Sequence, residues 1–499
     1  MNSTSNDELS TICIGAGPAC LTAAYTLTKA GVKVTVLERD PVYVGGISRT
    51  VNYKGFLFDI GGHRFFSKSE RIDKLWDELL GAEFLERPRK SRIYYRRKLF
   101  DYPLRASNAL KQLGVIEAVR CVLSYGKARL FPIRNPGNFE EWVVNQFGRR
   151  LFSIFFRTYT EKVWGMKCTE ISADWAAQRI KGLSLGKAIW HALRAPPGAQ
   201  SKSNVIKTLI NSFRYPRRGP GMMWDAATSK IRGQGGEVLL GMNVTGAAWD
   251  ALTGWWNVTA TDAGGVAHAY KARHLISSAA IRDLVSGLSP RVPDRVIAAA
   301  NKLRYRDFLV VALIVRDRNV FDDNWIYIHD PDVKVGRIQN FKSWSPEMVP
   351  DPALNCYGLE YFCFDGDQLW NSADPDLVEL AKAELVKLNL ARIEDIVDGA
   401  VVRQSKAYPV YDDSYLEHVG IVQGALSDAF PTLHLVGRNG MHKYNNQDHA
   451  MMTGLLTAEN ILAGRRIYDP WQVNQDAEYH EGGAKGQDAV TERMVPGRA

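Results

Sequence analysis

The run Gly61-Gly62-His63-Arg64-Phe65-Phe66 joins paired glycines, one titratable ring and two aromatics directly behind a short apolar strand. Glycines at such a place let backbone come close to a planar ligand. His63 can hold or move a proton beside it; a satisfied core histidine is the competing reading. Arg179 and Arg337 carry planar forks that suit bidentate contact with phosphate. Arg337 lies on the alternating stretch Val335-Gly336-Arg337-Ile338-Gln339-Asn340-Phe341, whereas Arg179 also reads as an exposed helix arginine. Tyr102, Trp164, Trp325, Tyr327, Tyr408 and Tyr444, with Thr160 and Asn446, have the bodies and polar tips to hold a base, a sugar or phosphates. Each aromatic reads equally as core.

These residues need a frame, and the N-terminus supplies one. Thr11 to Ile14 is an apolar strand, followed by Gly15-Ala16-Gly17-Pro18-Ala19-Cys20, a helix over Leu21 to Ala30, and a strand from Val32 to Leu37. This order, with Glu38 and Arg39 after the second strand, is that of a dinucleotide fold. Gly15 allows the tight turn. Gly17, Pro18 and Ala19 open a helix whose free N–H groups and positive dipole end suit a pyrophosphate. Glu38 is the acid expected to accept from a ribose, about 20 residues on. Cys20 stands where the pattern has its third glycine. After it, Tyr43-Val44-Gly45-Gly46-Ile47-Ser48-Arg49-Thr50 resembles the second glycine motif of the large FAD-dependent amine oxidase and mutase class. The cofactor implied is therefore FAD, with Gly45, Gly46 and Ser48 at its pyrophosphate.

Further motifs narrow the resemblance. Tyr102-Pro103, Tyr159-Thr160-Glu161-Lys162-Val163-Trp164, Trp175 with Arg179, Phe213-Arg214-Tyr215-Pro216, Trp325 with Tyr327, Arg337 to Pro346, Gly437-Arg438 and Asn446-Gln447-Asp448-His449 occur in one order. With Gly61-Gly62-His63, the chain resembles the UDP-galactopyranose mutase family, closer in several motifs to its longer, eukaryotic-type branch. The resemblance implies a redox-neutral ring contraction. An NDP-pyranose, UDP-galactose-like, becomes its furanose through a reduced-flavin N5 adduct at the anomeric carbon. It further implies that Arg179 and Arg337 grip the diphosphate and that His63 sits near the flavin. Val244, Gly437, Arg438, Asn446, Gln447 and Asp448 would complete the FAD site, with Asp448 as a helix cap. Arg92, Tyr102 and Arg438 match positions associated with NADPH, so NADPH or NADH is the implied reductant. Two departures concern the sugar side. Gly336 stands where the longer branch has an aromatic, and Tyr444 is two residues closer to the Asn-Gln-Asp-His run than in the family.

The fold class expected is α/β: a discontinuous Rossmann-type FAD-binding domain with a helical insertion and an antiparallel-sheet substrate domain. The expected division is 1–100, FAD-binding; 101–204, helical; 205–300, FAD-binding; 301–425, antiparallel sheet; 426–468, FAD-binding; and 469–499, a polar tail adding little to the core. Glu140 to Phe156 reads as one helix with an apolar stripe. The 499 residues, 45% hydrophobic, suffice for a large core. No apolar run approaches the ~20 residues of a membrane span, and the polar start lacks a signal peptide's pattern. A cytoplasmic location is expected. The six cysteines show no metal-like pairing and read as reduced thiols. A formal charge of +9 suits an anionic substrate or weak membrane-surface attraction. The basic clusters at 87–92 and 96–98 read as a solvated strand edge or a phosphate contact, and no nucleic-acid motif accompanies them. The partner expected is the nucleotide sugar, with a homo-oligomer open. Two other readings remain: an FAD-dependent oxidoreductase of amine oxidase, protoporphyrinogen oxidase or desaturase type, and a flavin-binding protein without turnover.

Overall fold

The computed structural model describes residues 8–102, 106–171, 173, 212–412 and 414–474. Its frame is a five-stranded, wholly parallel sheet in the order Leu433–Leu435, His274–Ser277, Thr11–Ile14, Val34–Leu37, Glu237–Leu239. The strands are short and apolar because both faces are covered. Helices Pro18–Lys29, Gly221–Gly233 and Gln447–Leu462 pack through one buried core. Gly454 lets two of them touch: a Cβ there would stand 2.0 Å from the Ala19 carbonyl oxygen. This is the α/β, discontinuous Rossmann-like architecture expected, with the C-terminal strand laid beside the chain's middle.

A seven-stranded sheet forms the second layer. Its order is Ile396–Pro409, Tyr305–Arg316, Leu354–Cys363, Arg337–Asn340, Trp325–Ile328, Ser91–Tyr95, Lys98–Asp101. It departs from the expected antiparallel sheet in one pairing, because Trp325–Ile328 runs parallel to Ser91–Tyr95. Those last two strands fall in the stretch assigned above to the first FAD-binding part. Ser91–Tyr95 covers the edge of Trp325–Ile328 that would otherwise expose unpaired backbone.

Two other expectations change. The stripe from Glu140 to Phe156 is not one helix: it breaks into Phe139–Phe147, Arg149–Phe152 and a π-helical turn at Ser153–Arg157. The break is at Gly148, where φ is +82° and a Cβ would lie 2.7 Å from the Tyr125 backbone nitrogen of helix Val115–Leu130. The start of the polar tail also joins the core. Val473 is fully buried, and Lys443 Nζ donates to the Trp471 and Val473 carbonyls. All six cysteines are buried and unbridged. Among the described residues no helix is long and apolar enough to cross a membrane, and no His, Cys, Asp and Glu cluster could hold a metal.

Candidate active site

The nucleotide cradle is built mostly from backbone. Gly15 turns the chain at φ +94°, with a would-be Cβ only 2.6 Å from Ser278 Oγ. Gly17 caps helix Pro18–Lys29 with ordinary φ, and a Cβ there would meet nothing within 4 Å. Its lack of a side chain serves no protein neighbour, so the vacant volume is a cradle that a Cβ would fill. Pro18 is at the first helical position, where its missing N–H costs nothing. Ala19 is buried against Gly437, whose own Cβ would be 3.1 Å from it. Gly46 closes the loop from the other side, its would-be Cβ 3.5 Å from Gly17 Cα. Gly45 donates to the Ala16 carbonyl at 2.7 Å, and Ser48 is buried in the same turn.

Glu38 already supports this loop. Its carboxylate accepts from Ala16 N–H at 2.6 Å and Asp40 N–H at 2.8 Å. A carboxylate has about four acceptor positions, so two remain for a ribose. Arg39 is exposed at the strand end. Val244 is half-buried beside a bulge in strand Asn243–Asp250, two residues beyond Met242, whose N–H donates to the Glu38 carbonyl at 2.7 Å. On the far side, Asn446, not Asp448, caps helix Gln447–Leu462, in a reciprocal box with His449. Asp448 lies one residue inside the first turn and is buried, which raises its carboxyl to about 7. Trp224 Nε1, both amide atoms of Gln447 and Asp448 Oδ2 are buried without protein partners. Such groups call for ordered water or a bound polar ligand, and the residues present fit a dinucleotide.

Above the cradle stands a charged centre. Arg337 Nε donates to Glu360 Oε2, and Gln339 Nε2 donates to Glu360 Oε1 at 2.7 Å. Glu360 is fully buried, and this burial raises its pKa against the pull of Arg337 and Gln339. Burial works against the Arg337 charge, but Glu360 and then Tyr159, Tyr408 and Tyr327 outweigh it and hold the guanidinium charged. A Cβ on Gly61, at φ +90°, would be 3.9 Å from Arg337 Nη2. On Gly62 it would stand 3.1 Å from Gln339 Nε2. His63 Nε2 donates to the Ile60 carbonyl at 3.0 Å. Desolvation first, then the charges of Arg438 and Arg337, lower its pKa to about 4. His63 is therefore a neutral ring between two arginines.

An aromatic wall closes the chamber. Tyr408 and Tyr444 stack at 5.6 Å, with the Arg438 guanidinium 5.3 and 5.0 Å from their centres. Tyr327 meets Tyr102 at 4.9 Å, Tyr159 at 5.4 Å and Trp325 at 6.3 Å. Arg89 lies 5.5 Å from the Tyr102 ring and 5.8 Å from Trp325. The wall thus mixes tyrosines with cations, each guanidinium lying within about 6 Å of ring centres.

Not every expected residue joins this chamber. Trp164 packs in the helical layer with Phe139, Val143, Phe147 and Phe152, and Thr160 is buried one turn earlier. Arg179 and Trp175 lie outside the described residues. Arg92 is taken up by the fully buried Asp323, to which Nε donates at 2.9 and 3.0 Å. Glu360, Gln339, Tyr159 and Phe362 were missed as site residues. The signal for Glu360 was available: it is the lone charged residue in the buried strand Leu354–Cys363. Phe362 also accounts for Gly336, because a Cβ there would sit 2.9 Å from the Phe362 ring. An aromatic from the neighbouring strand fills that place.

Residues 13–79 match a family model described as an NAD(P)-binding Rossmann-like domain. A stretch of 55 residues, 11% of this chain, is 49% identical to an inactive all-trans-retinol 13,14-reductase from Danio rerio, and spans 9% of that protein's length. Likeness of fold is far broader. A reduced UDP-galactopyranose mutase matches with TM-score 0.77 at 24% identity, over 91% of this chain and 94% of that one. The two chains share a fold over nearly their whole length. A protein from Exiguobacterium sp. 255-15, described as a protoporphyrinogen oxidase, matches at 0.68 and 15% identity, over 91% and 99% of the two chains. A putrescine oxidase matches at 0.60 and 17%, over 91% and 99%.

Proposed function

We propose that the protein is a flavin-dependent nucleotide-sugar mutase, interconverting an NDP-pyranose, UDP-galactose-like, and its furanose. The observation that carries this reading is the Arg337–Glu360–Gln339 group beside Gly61 and His63, facing a tyrosine wall that also holds Arg438 and Arg89. A leaving diphosphate carries two or more negative charges and needs fixed cations. Glu360 holds Arg337 through Nε, which orients the fork before substrate arrives. His63, neutral, adds no charge beside the flavin face and is held in place by backbone hydrogen bonds to Ile60 and Ile47. The cradle residues Gly17, Gly46, Glu38, Trp224, Gln447 and Asp448 would hold FAD. Bound there in reduced form, it supplies a nucleophilic nitrogen to the anomeric carbon and ends the cycle unoxidised. The tyrosines keep water from the opened sugar and present hydroxyls to it. NADPH or NADH is the proposed reductant.

The second reading is an FAD-dependent oxidase. The shared nucleotide cradle and the wall of tyrosines, among them the stacked pair Tyr408–Tyr444, suit it as well. Arg438 lies over both rings, however, and an amine substrate would meet that charge. The test is to mix dithionite-reduced holoenzyme with a panel of nucleotide sugars and resolve products by HPLC and NMR. Furanose formed without oxygen uptake is expected. Turnover only with oxidised flavin and oxygen, releasing peroxide, would overturn the mutase reading in favour of the oxidase.

A further inference from the structure

The helix Val115–Leu130 carries two apolar faces. Its inner face, with Ala118, Cys121 and Ala128, is buried, and Cys121 packs with Ile93, Phe100, Ile154 and Phe155 in the cluster that supports Tyr102 and Tyr327. Its outer face is open. Val115, Ile116, Val119, Val122, Leu123 and Leu130 are exposed, and Phe131 follows at the helix end. These are 7 of the 17 exposed large hydrophobic residues among the described ones, gathered in one short segment. At 100° per residue the six helical positions fall within about 120° of one another. That is a continuous stripe and not scattered surface apolar residues, which would need no explanation.

The flanks of the stripe are basic. Arg120 and Lys127 border one side and Arg129 the other, all exposed. Lys111 and Arg134, just beyond the helix ends, are exposed too. Across this stretch five basic residues stand against one acid, Glu117. Glu117 is committed to Arg150, to which its carboxylate is bonded, and Arg120 approaches it at 3.7 Å. An apolar stripe rimmed by Lys and Arg matches a phospholipid headgroup layer in both chemistry and charge: the apolar chains enter the acyl boundary while the cations meet anionic headgroups.

We infer that the outer face of helix Val115–Leu130 docks the protein on an anionic phospholipid surface, as an interfacial and not a spanning element. No helix among the described residues could span. The inner face of the same helix supports the aromatic wall, so docking sets the chamber beside the membrane. The inference does not depend on which reaction the chamber performs.

The test is vesicle flotation of the full-length protein. Vesicles of phosphatidylcholine containing phosphatidylglycerol should carry it at low salt, pure phosphatidylcholine vesicles much less, and high salt should release it. Each basic residue at such a surface is worth about fivefold in partition. The pair Lys127→Glu and Arg129→Glu should therefore weaken flotation by at least about tenfold. The pair Leu123→Ser and Phe131→Ser should abolish it, while circular-dichroism melting shows the fold retained. Absence of wild-type flotation on either vesicle would overturn the inference, as would binding unaffected by both pairs. A dimer seen by sedimentation that the Leu123→Ser and Phe131→Ser pair dissociates, without vesicle binding, would assign the face to a second copy and overturn it equally.

Discussion

The nucleotide cradle and the aromatic chamber lie against each other but are built by opposite means. The cradle is made from backbone: Gly15, Gly45 and Gly46 bring two loops together, and N–H groups provide the contacts. The chamber is made from side chains on or beside strands far apart in sequence, with Arg337 from one, Glu360 from the next, Tyr408 from the far edge and Tyr102 just past the strand at the opposite edge. A backbone-built site tolerates no added atom where loops touch. A site built from side chains depends on partners being present. The two regions should therefore break differently.

The largest effect is expected in the chamber. Arg337→Ala leaves Glu360 buried without its cation, which should cost about 3 kcal/mol of stability, the lower end for breaking a buried pair because Arg337 is partly exposed. Adding Glu360→Gln should recover most of that loss while nucleotide affinity stays low. Denaturant melts of the four proteins in the cycle, with nucleotide titrations, measure both. A double variant no more stable than the single one would show that the pair is not what holds Arg337.

In the cradle, Gly15 and Gly17 should separate sharply. Gly15→Ala strains a left-handed backbone and drives a Cβ onto Ser278 Oγ, costing about 2 kcal/mol. Gly17→Ala meets open space at ordinary φ, so the melting temperature of the apoprotein should be unchanged within error. Its FAD content, read from absorbance, should nonetheless fall. Equal stability losses in the two variants would refute a cradle vacant for a ligand.

The smallest effect concerns His63. Its folded pKa, about 4, lies below the ordinary value of 6.5. A histidine lowered in this way contributes stability that is full above 6.5 and is lost as pH falls from there toward 4. The ring is half-buried, so solvent screens part of the shift. His63→Gln should flatten the acid limb of the stability–pH profile, and NMR should find the native ring uncharged at pH 6. A ring titrating near 6.5 would remove the two-arginine environment from the account.

The same contrast governs what could be read from sequence. Local rules place the cradle: a strand, Gly15 and Gly17, a helix and Glu38 follow within one short span, and each obeys a backbone requirement. The chamber was legible only in part. Arg337 and the tyrosines are visible as types, but Glu360 becomes a partner only through the register that sets Arg337 opposite it. Trp164 looks like a base-stacking residue until the fold of the helical layer buries it. The helix break at Gly148 was hidden for a related reason, since apolar periodicity continues through it and only the approach of helix Val115–Leu130 demands the turn. Nor does periodicity distinguish a strand paired within its own domain from Ser91–Tyr95, which joins a sheet assembled mostly from residues 305–409.

The parallel sheet has a consequence for how the molecule comes into being. Its edge strand Leu433–Leu435 pairs with His274–Ser277, which pairs with Thr11–Ile14. During synthesis at roughly 5–20 residues per second, the first strand waits tens of seconds for its second neighbour and longer for the sheet to be complete. Until Val436 and the helix Gln447–Leu462 emerge, one face of helix Pro18–Lys29 has no cover. A nascent chain of this kind leaves that helix face bare until residue 462 has been made, and the two halves of the parallel frame close on each other only then.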